Sequence, residues 1–596
     1  MKLFIYFIFA LSLLYGCSSD SGSSGSGDPD PPPPPTDPIV DSPAADLLIT
    51  EVSSTKYYNI NHWIEVYNNS TSDIDISTYK LGSGYINPSS GIGNRTLFPF
   101  PLPAVTISPG EYLVLYTQAS ATYQGFKADN NSAVIALDLG DTPYWDDNGT
   151  IELVNSAGET EDYVCFGTLE CQAPTSGDSF EYSVAPITRV YGKSIARAQD
   201  LTDTNAGADW SLVEFSTPGG PNDVNNCSAD ADGDGIPDCA EASGKTFAGL
   251  PLYDWGARAG TPDIFVELDY MHITGGETPE ETALQNIKDV FQVQGYAVHF
   301  DVGNLFSNNG ATVDATRFDL NGGNQVTAST SLTLGKLTNF ANLYELKTAN
   351  MDIARKQIFH YVVMGGSQMG NGSCGSSGLG EVNGNDFIVT LGGCGFASAS
   401  NSNINAQAST LMHELGHNLG LRHGGDVNDN YKPNYASIMN YLYSFKSAPI
   451  ITVDNDLMYR YEQVAQNGGT CGAAVANHAW ANNLTTATFN LSYSPGGTAS
   501  LNELNLDETV GLEGVIAIDF NCNGVATDVG FARDINFNGT QEVLNDYNDW
   551  QNLDFFFGDN SSGQSYNVNG FVELPKDRIG NDRQPLSDDQ DFRVYP

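Results

Sequence analysis

Three histidines in one short stretch of the chain have the spacing of a metal-binding site. His413 and His417 are four residues apart, so on a helix their imidazoles project from one face and can share a metal ion. Gly420 can adopt a positive φ, which lets the chain turn back and bring His423 in as a third nitrogen ligand. Three protein ligands leave a fourth position for water, as catalytic zinc sites require.

Glu414 adjoins the first of these histidines. Its carboxylate is placed to accept a proton from the metal-activated water and to pass it to a departing amine, so that one residue serves as base and then as acid. The residues therefore predict hydrolysis of a peptide bond by zinc-activated water. The alternatives are a structural zinc or hydrogen-bonded histidines on a helix, and an inactive protein that retains the site.

The sequence of residues 413–423, HELGHNLGLRH, resembles the HExxHxxGxxH signature of the metzincin metallopeptidases. The segment SIMNY at 437–441 resembles the methionine turn of the same family. This resemblance implies protein or peptide substrates and a Met439 that packs beneath the zinc ligands. It also implies that Tyr441 ligates zinc or stabilises the oxyanion, although an aromatic ring at that position could simply pack.

A helix over 405–420, ended by Gly420, is predicted to carry the metal ligands. DFIVTLGG, which begins at Asp386, could be the edge strand that the metzincin resemblance implies, along which an extended substrate aligns by main-chain hydrogen bonds. The upstream order of elements is typical of an α/β (α+β) metzincin-like catalytic domain, which we place at 262–560, with a C-terminal extension at 561–596. The predicted upstream elements are a strand at 262–271, a helix at 279–295, and strands at 296–303 and 358–366.

An acidic loop precedes this catalytic region. Residues 230–241, DADGDGIPDCAE, have the alternate oxygen ligands of a calcium loop, with Gly235 at the sharp turn. Pro237 and two flanking cysteines make the loop resemble a thrombospondin type 3 repeat, and we assign 223–245 to a calcium-binding linker; an acidic linker without an ion is the alternative. The predicted ligands are the side chains of Asp230, Asp232, Asp234, Asp238 and Glu241 and the carbonyl of Ile236.

Two further loops near the C-terminus repeat the alternate-oxygen pattern less completely. Asn replaces Asp at several positions and no clear Glu closes either loop, so polar turns explain them as well as bound ions do. Their residues are Asp519, Asn521 and Asn523 before Gly524, and Asp534, Asn536 and Asn538 before Gly539.

The first third of the chain reads as short strands between turn clusters, which predicts an antiparallel sandwich. Residues 46–222 resemble the lamin-tail domain, which implies an immunoglobulin-like accessory or binding module. Trp63 and Trp210 are expected to be core residues. The fold class predicted for the whole chain is thus multidomain, an all-β sandwich followed by the catalytic domain. The predicted strands are LLITEV, WIEVYNN, YLVLYT, AVIALDL and TIELVN.

The N-terminus resembles that of a bacterial lipoprotein. Residues 1–16 form a short apolar signal, and the sequence LYGC ending at Cys17 resembles a lipobox, which implies cleavage before Cys17 and acylation of that cysteine. The Ser/Gly/Pro-rich residues 17–45 are expected to be a tether. The resemblance implies an exported protein anchored to the bacterial membrane by a lipid, at the outer membrane or cell surface; a plain secretory signal is the alternative.

Composition narrows the partners and the compartment. Asp and Glu number 72 and Lys and Arg 25, for a formal charge of −47, which argues against a nucleic-acid partner because phosphates would be repelled. Nine cysteines leave eight beyond Cys17, consistent with four disulfides in an oxidising compartment. A non-catalytic, calcium-stabilised adhesion or scaffold protein that retains the metal site is the competing function. The pairs suggested by proximity are Cys165–Cys171, Cys227–Cys239, Cys374–Cys394 and Cys471–Cys522.

Overall fold

The computed structural model covers both predicted domains in part. The predicted signal, Cys17, the tether, the AVIALDL strand and the C-terminal extension lie outside the described residues. Within them, no helix is both long and apolar enough to cross a membrane. The described residues are 45–53, 63–86, 93–95, 100–117, 126–129, 149–167, 173–176, 194–272, 275–306, 313–334, 339–448, 484–512, 517–521 and 523–555.

The N-terminal part is built from antiparallel strands, as predicted. A six-stranded sheet has the order β13-β12-β1-β2-β8-β9, and a second sheet has the order β11-β10-β4-β5, with β6 beside β4. The strands are β1 Leu47–Ser53, β2 Trp63–Asn68, β3 Ile74–Asp75, β4 Lys80–Ile86, β5 Gly93–Arg95, β6 Phe100–Pro101, β7 Thr106–Ile107, β8 Tyr112–Thr117, β9 Phe126–Asp129, β10 Gly149–Val154, β11 Thr160–Phe166, β12 Ser194–Arg197 and β13 Trp210–Val213.

Apolar side chains from both sheets form one shared core, which confirms the all-β sandwich. Ile49 and Val66 of the first sheet and Ile151 and Val164 of the second belong to this core. The alternation along each strand puts every second side chain on the inner face. Trp210 is buried in the same core, as expected.

The catalytic part has a sheet with helices on both faces, which confirms the α/β class. The sheet order is β15-β14-β18-β20-β19; the first four strands are parallel and β19 is antiparallel to β20. The helices are α1 Leu252–Trp255, α2 Glu281–Val293, α3 Leu343–Asn350 and α4 Asn401–Asn418, and the strands are β14 Asp263–Tyr270, β15 Ala297–Asp301, β16 Leu332–Thr333, β17 Ala341–Asn342, β18 Phe359–Met364, β19 Gly378–Gly380 and β20 Asp386–Val389.

Alternating residues of the central strands bury the two faces of this sheet separately. Val266 on β14 packs in a core with Leu284 of α2 and Leu411 of α4. Its neighbour Phe265 packs on the opposite face, in a core with Leu343 of α3. Because both faces are covered by helices, β14 is buried at every position, as expected of a central parallel strand.

The strand predicted from DFIVTLGG is not the edge of the sheet. It forms β20, which pairs on one side with β18 and on the other with β19. The edge strand on this side of the sheet is therefore the short strand β19. This antiparallel strand is three residues long, and two of them are glycines. It therefore has no apolar pattern that would identify it in the sequence.

The C-terminal part supplies residues to the catalytic core and also has a small core of its own. Trp550 and Tyr493 pack in the core with α2 and α4, and the Tyr493 hydroxyl donates to the Met412 carbonyl within α4. Leu506, Ile518 and other apolar residues form the separate cluster. The strands here are β21 Leu501–Asn502, β22 Leu506–Asp507, β23 Val529–Phe531 and β24 Val543–Leu544.

Two of the suggested disulfides are present. Cys227 is bonded to Cys239, and Cys374 is bonded to Cys394. Cys165 is also disulfide-bonded, but its suggested partner, like the suggested Cys471–Cys522 pair, lies outside the described residues.

Candidate active site

Helix α4 positions the first two metal-ligand candidates. It begins after Ser400, whose hydroxyl accepts a hydrogen bond from the Asn403 amide at 3.1 Å, so the helix starts four residues before the predicted one. It ends at Asn418, two residues earlier than expected. Gly420 then adopts a φ of +91°, as its position in the motif predicted, and the chain turns back.

The structure brings His413, His417 and His423 together. Their ring centroids lie 4.8 Å apart for His413 and His417, 5.3 Å for His413 and His423, and 4.9 Å for His417 and His423. One ring nitrogen of each lies within 4.8 Å of the others. All three side chains are buried. The arrangement is that of three ligands around one ion.

Hydrogen bonds fix the orientation of two of the rings. Nδ1 of His413 donates to the Ile438 carbonyl and Nδ1 of His417 to the Leu421 carbonyl, each at 2.8 Å. Because a carbonyl only accepts, the proton is on Nδ1 and the lone pair is on Nε2. Among the described residues, neither of these buried Nε2 atoms has a hydrogen-bond partner.

Burial keeps the imidazoles neutral. It lowers the pKa of His413 to about 4 and holds the pKa of His417 and His423 well below the ordinary value. For His417 and His423 the neighbouring imidazoles add to this effect. A neutral imidazole with a buried lone pair is the form that binds a metal, so the residues present fit a zinc ion.

Glu414 lies against the open edge strand. A Cβ added at Gly378 of β19 would lie 2.4 Å from Oε1 of Glu414, and one at Gly380 would lie 3.0 Å from its backbone oxygen. The side chain is buried, with 1% of its surface exposed. The sequence reading missed both glycines. Their signal was the pattern Gly-Leu-Gly, since glycine within a strand often marks a close approach.

Met439 packs beneath the ligand helix. It is fully buried, and a Cβ added at Gly416 would lie 2.5 Å from its sulfur. Gly416 stands between the two helix ligands, so its missing side chain makes room for Met439. The turn itself is held by Asn440, whose amide donates to the carbonyls of Lys432 and Tyr435.

Tyr441 lies beside the three histidines. Its ring centroid is 4.4 Å from that of His423 and 5.9 Å from that of His413, and its side chain is partly exposed. The ring therefore packs on the ligands and is also partly accessible to solvent. Both expectations for this residue, packing and a part in the reaction, are compatible with this position.

The linker loop gathers three of its predicted calcium ligands. Carboxylate oxygens of Asp230, Asp232 and Asp234 lie within 4.8 Å of one another. Asp230 also accepts from the amides of Gly233 at 2.7 Å and Gly235 at 3.0 Å, which fixes the loop. The Asp238 carboxylate accepts a hydrogen bond from the Ala231 amide at 2.8 Å.

The remaining predicted ligands lie on the inner side of the loop. Ile236 is buried, and Glu241 joins a second cluster in which its carboxylate lies within 4.8 Å of those of Asp234 and Asp263. Asp263 is the first residue of β14. The sequence reading missed it because it follows the loop motif by many residues and reads there as the start of a strand.

The two C-terminal loops are closed by glutamates that precede them in the chain. Glu508 accepts from the amides of Asn521 and Asp528, and Glu503 accepts from those of Ile535 and Glu542. These glutamates were missed because each lies upstream of its loop motif, outside the alternate-oxygen pattern. In the described part of the chain, the histidine triad and the two linker clusters are the groups of at least three His, Cys, Asp or Glu side chains that could hold a metal.

The other histidines in the described ranges lie outside the triad. His299 is hydrogen-bonded to Asp263, and His360 to Asn418. His272 is exposed and hydrogen-bonded to Thr278. The remaining two, His62 and His478, are outside those ranges.

Two known families match separate parts of the chain. Residues 41–167 match the lamin tail domain, and residues 279–424 match the reprolysin-like metallopeptidase family M12B. None of the curated proteins matches the chain. The chain thus carries a lamin tail domain followed by a reprolysin-like metallopeptidase domain, which supports a zinc metallopeptidase acting on proteins or peptides. The peptidase match includes all three histidines and ends before Met439 and Tyr441.

Proposed function

We propose that this protein is a zinc-dependent endopeptidase of the bacterial cell envelope or surface in which Glu414 is the general base and acid. The observation that carries the proposal is the convergence of His413, His417 and His423, with two lone pairs oriented by backbone carbonyls, next to a buried carboxylate. The M12B match supports the same reaction class.

The catalytic roles follow from the positions of the side chains. A zinc ion bound by the three imidazoles would polarise the scissile carbonyl and lower the pKa of the attacking water. Glu414 accepts the proton that this water loses and delivers it to the nitrogen of the leaving amine. Gly378 lets the carboxylate occupy its place, because any side chain on that residue would overlap Oε1.

The open edge of β19 offers a site for an extended peptide. The amides of Thr390 and Glu381 bond across to the carbonyls of Ser377 and Asp386, so residues 377 and 381 point their backbone groups toward β20. Gly378 and Gly380 therefore point theirs away from it. The Gly378 carbonyl accepts a hydrogen bond from the side-chain amide of Gln368 at 2.8 Å. The N–H of Gly378 and the N–H and carbonyl of Gly380 are then left to pair with a substrate.

Replacement of Glu414 tests the proposal. We expect Glu414→Gln to retain zinc and to lower kcat for cleavage of casein by at least about a hundredfold, because the amide cannot take the proton. Glu159→Gln, at an exposed turn of the sandwich, is the matched control and should cleave at the wild-type rate. Zinc content and cleavage rate are measured on the same preparations.

Two results would contradict the proposal. Equal cleavage by wild type and Glu414→Gln would remove this carboxylate from the mechanism. A wild-type chain that holds zinc and cleaves neither casein nor a peptide library would instead favour the adhesion or scaffold protein.

The location and the calcium loop belong to the same proposal. Acylation at Cys17 would anchor the chain to the membrane, and a Cys17→Ala chain that still fractionates with membranes would contradict this.

Calcium bound by Asp230, Asp232 and Asp234 would stiffen the linker before the catalytic domain. The convergence of their carboxylate oxygens supports this role. Unchanged calcium affinity in Asp230→Asn would contradict that role.

A further inference from the structure

A second group of carboxylates joins the linker loop to the catalytic sheet. Asp234 and Glu241 belong to the loop, and Asp263 is the first residue of β14, the strand next to the β15 edge. Oxygens of these three residues lie within 4.8 Å of one another. Two ligands on opposite sides of a calcium ion are about 5 Å apart, so one ion can reach all three.

Glu241 is the residue that points to an occupant of this cluster. Only 3% of its surface is exposed, and neither carboxylate oxygen has a hydrogen-bond partner among the described residues. Asp234 and Asp263 are equally enclosed, at 1% and 4%. A buried carboxylate that makes no hydrogen bond is destabilising in its charged form unless a cation neutralises it, and it is otherwise protonated.

The surroundings supply little positive charge. In the described ranges, the ion pair made by these three residues is that between Asp263 and His299. The Arg258 guanidinium is turned away, stacked on Tyr253 and donating to backbone carbonyls. Three buried carboxylates this close together therefore favour a bound cation.

The backbone already holds the loop and the strand in register around this cluster. The Asp263 amide donates to Asp234 and the Gly260 amide to Asp232, each at 2.7 Å, and the Arg258 amide donates to Asp263 at 2.9 Å. Asp234 and Asp263 are thus held in place by bonds that do not use Glu241. A site fixed in this way loses little conformational entropy when it binds an ion.

We propose that Asp234, Glu241 and Asp263 bind a calcium ion that ties the linker loop to the first strand of the catalytic sheet. The ligands are all oxygens, which calcium prefers, and Asp234 is shared with the loop cluster. The ion makes the folding of the catalytic domain depend on calcium through a residue outside the loop motif. The proposal does not depend on peptidase activity.

Calcium titration of full-length variants tests this site. The experiment uses the zinc-loaded Glu414→Gln chain, stripped of calcium with EGTA, and follows binding by calorimetry and the unfolding midpoint Tm. We expect Asp263→Asn and Glu241→Gln each to weaken one calcium site at least about tenfold and to reduce the calcium-induced rise in Tm. Asp254→Asn, an exposed acid on α1, is the control and should bind as the parent does.

Crystals of the wild-type chain grown with calcium give a measurement free of any folding defect in the variants. The proposal expects an anomalous peak with oxygens of Asp234, Glu241 and Asp263 as ligands. A parent chain that binds no calcium, unchanged affinity in Asp263→Asn, or a calcium ion bound only by residues 230–241 would each overturn it. None of these outcomes bears on cleavage by Glu414.

Discussion

At the scale of single residues, the site depends on reactive side chains and on glycines that leave room for them. His413, His417 and Glu414 were predictable from the sequence because their chemistry depends on spacing along one helix. Gly378 and Gly416 were not, since a missing side chain acquires meaning only when the neighbouring oxygen or sulfur is in place. Asp263 was missed for a related reason: its partners Asp234 and Glu241 precede it on another element.

Tyr441 provides a prediction at this scale. Its ring packs 4.4 Å from that of His423, and phenylalanine would keep that contact while removing the hydroxyl. If the hydroxyl stabilises the oxyanion, Tyr441→Phe should lower kcat about ten- to a hundredfold with KM and zinc content nearly unchanged. Steady-state kinetics on a single peptide separate kcat from KM. Wild-type kcat in the variant would assign Tyr441 to packing alone.

At the scale of elements, strong periodicity was readable and short strands were not. The strands that became β14, β15 and β18, and the helix that became α2, lie where the apolar patterns put them. Helix α4 begins earlier than expected because Ser400 caps a polar first turn that carries no apolar signal. The edge strand β19 is three residues long, so neither its existence nor the inner place of β20 could be read from alternation.

The close approach of β19 to Glu414 gives a prediction for these two elements. Gly378→Ala should displace the Glu414 carboxylate and lower kcat at least about tenfold, while the three imidazoles, which its new Cβ does not contact, keep their zinc. Gly370→Ala is the matched control, because its new Cβ would make only ordinary contacts of 3.5–3.6 Å with Phe340. Cleavage rate and zinc content are measured for both. A fully active Gly378→Ala would show that Glu414 tolerates movement there.

At the scale of the whole molecule, the order of the parts was predictable and their contacts were not. A strand-rich segment, an acidic loop and an alternating α/β segment follow one another in the sequence, and the sandwich and the α/β sheet were both expected. The junction was not: Trp63 and Val114 of the sandwich pack with Ile353 of the α/β part. Such pairings have no periodicity.

The C-terminal part illustrates the same limit. The Tyr435 hydroxyl, near the methionine turn, donates to Asp549 at 2.9 Å, and the Asp554 amide donates to the Leu419 carbonyl at 3.0 Å, just after the ligand helix. These bonds join residues more than a hundred positions apart. They hold the C-terminal part against the chain near the methionine turn and the end of the ligand helix. The sequence placed this region in the catalytic domain, but it indicated neither of these contacts.

The zinc content of the full-length chain tests the central claim most directly. With purified protein in zinc-replete buffer, elemental analysis should find one zinc bound at this site per wild-type chain, and His417→Ala should lose it because two imidazoles remain. His272→Ala, which alters an exposed histidine, should keep the wild-type content. A wild-type chain without zinc, or a His417→Ala chain that keeps it, would contradict the account.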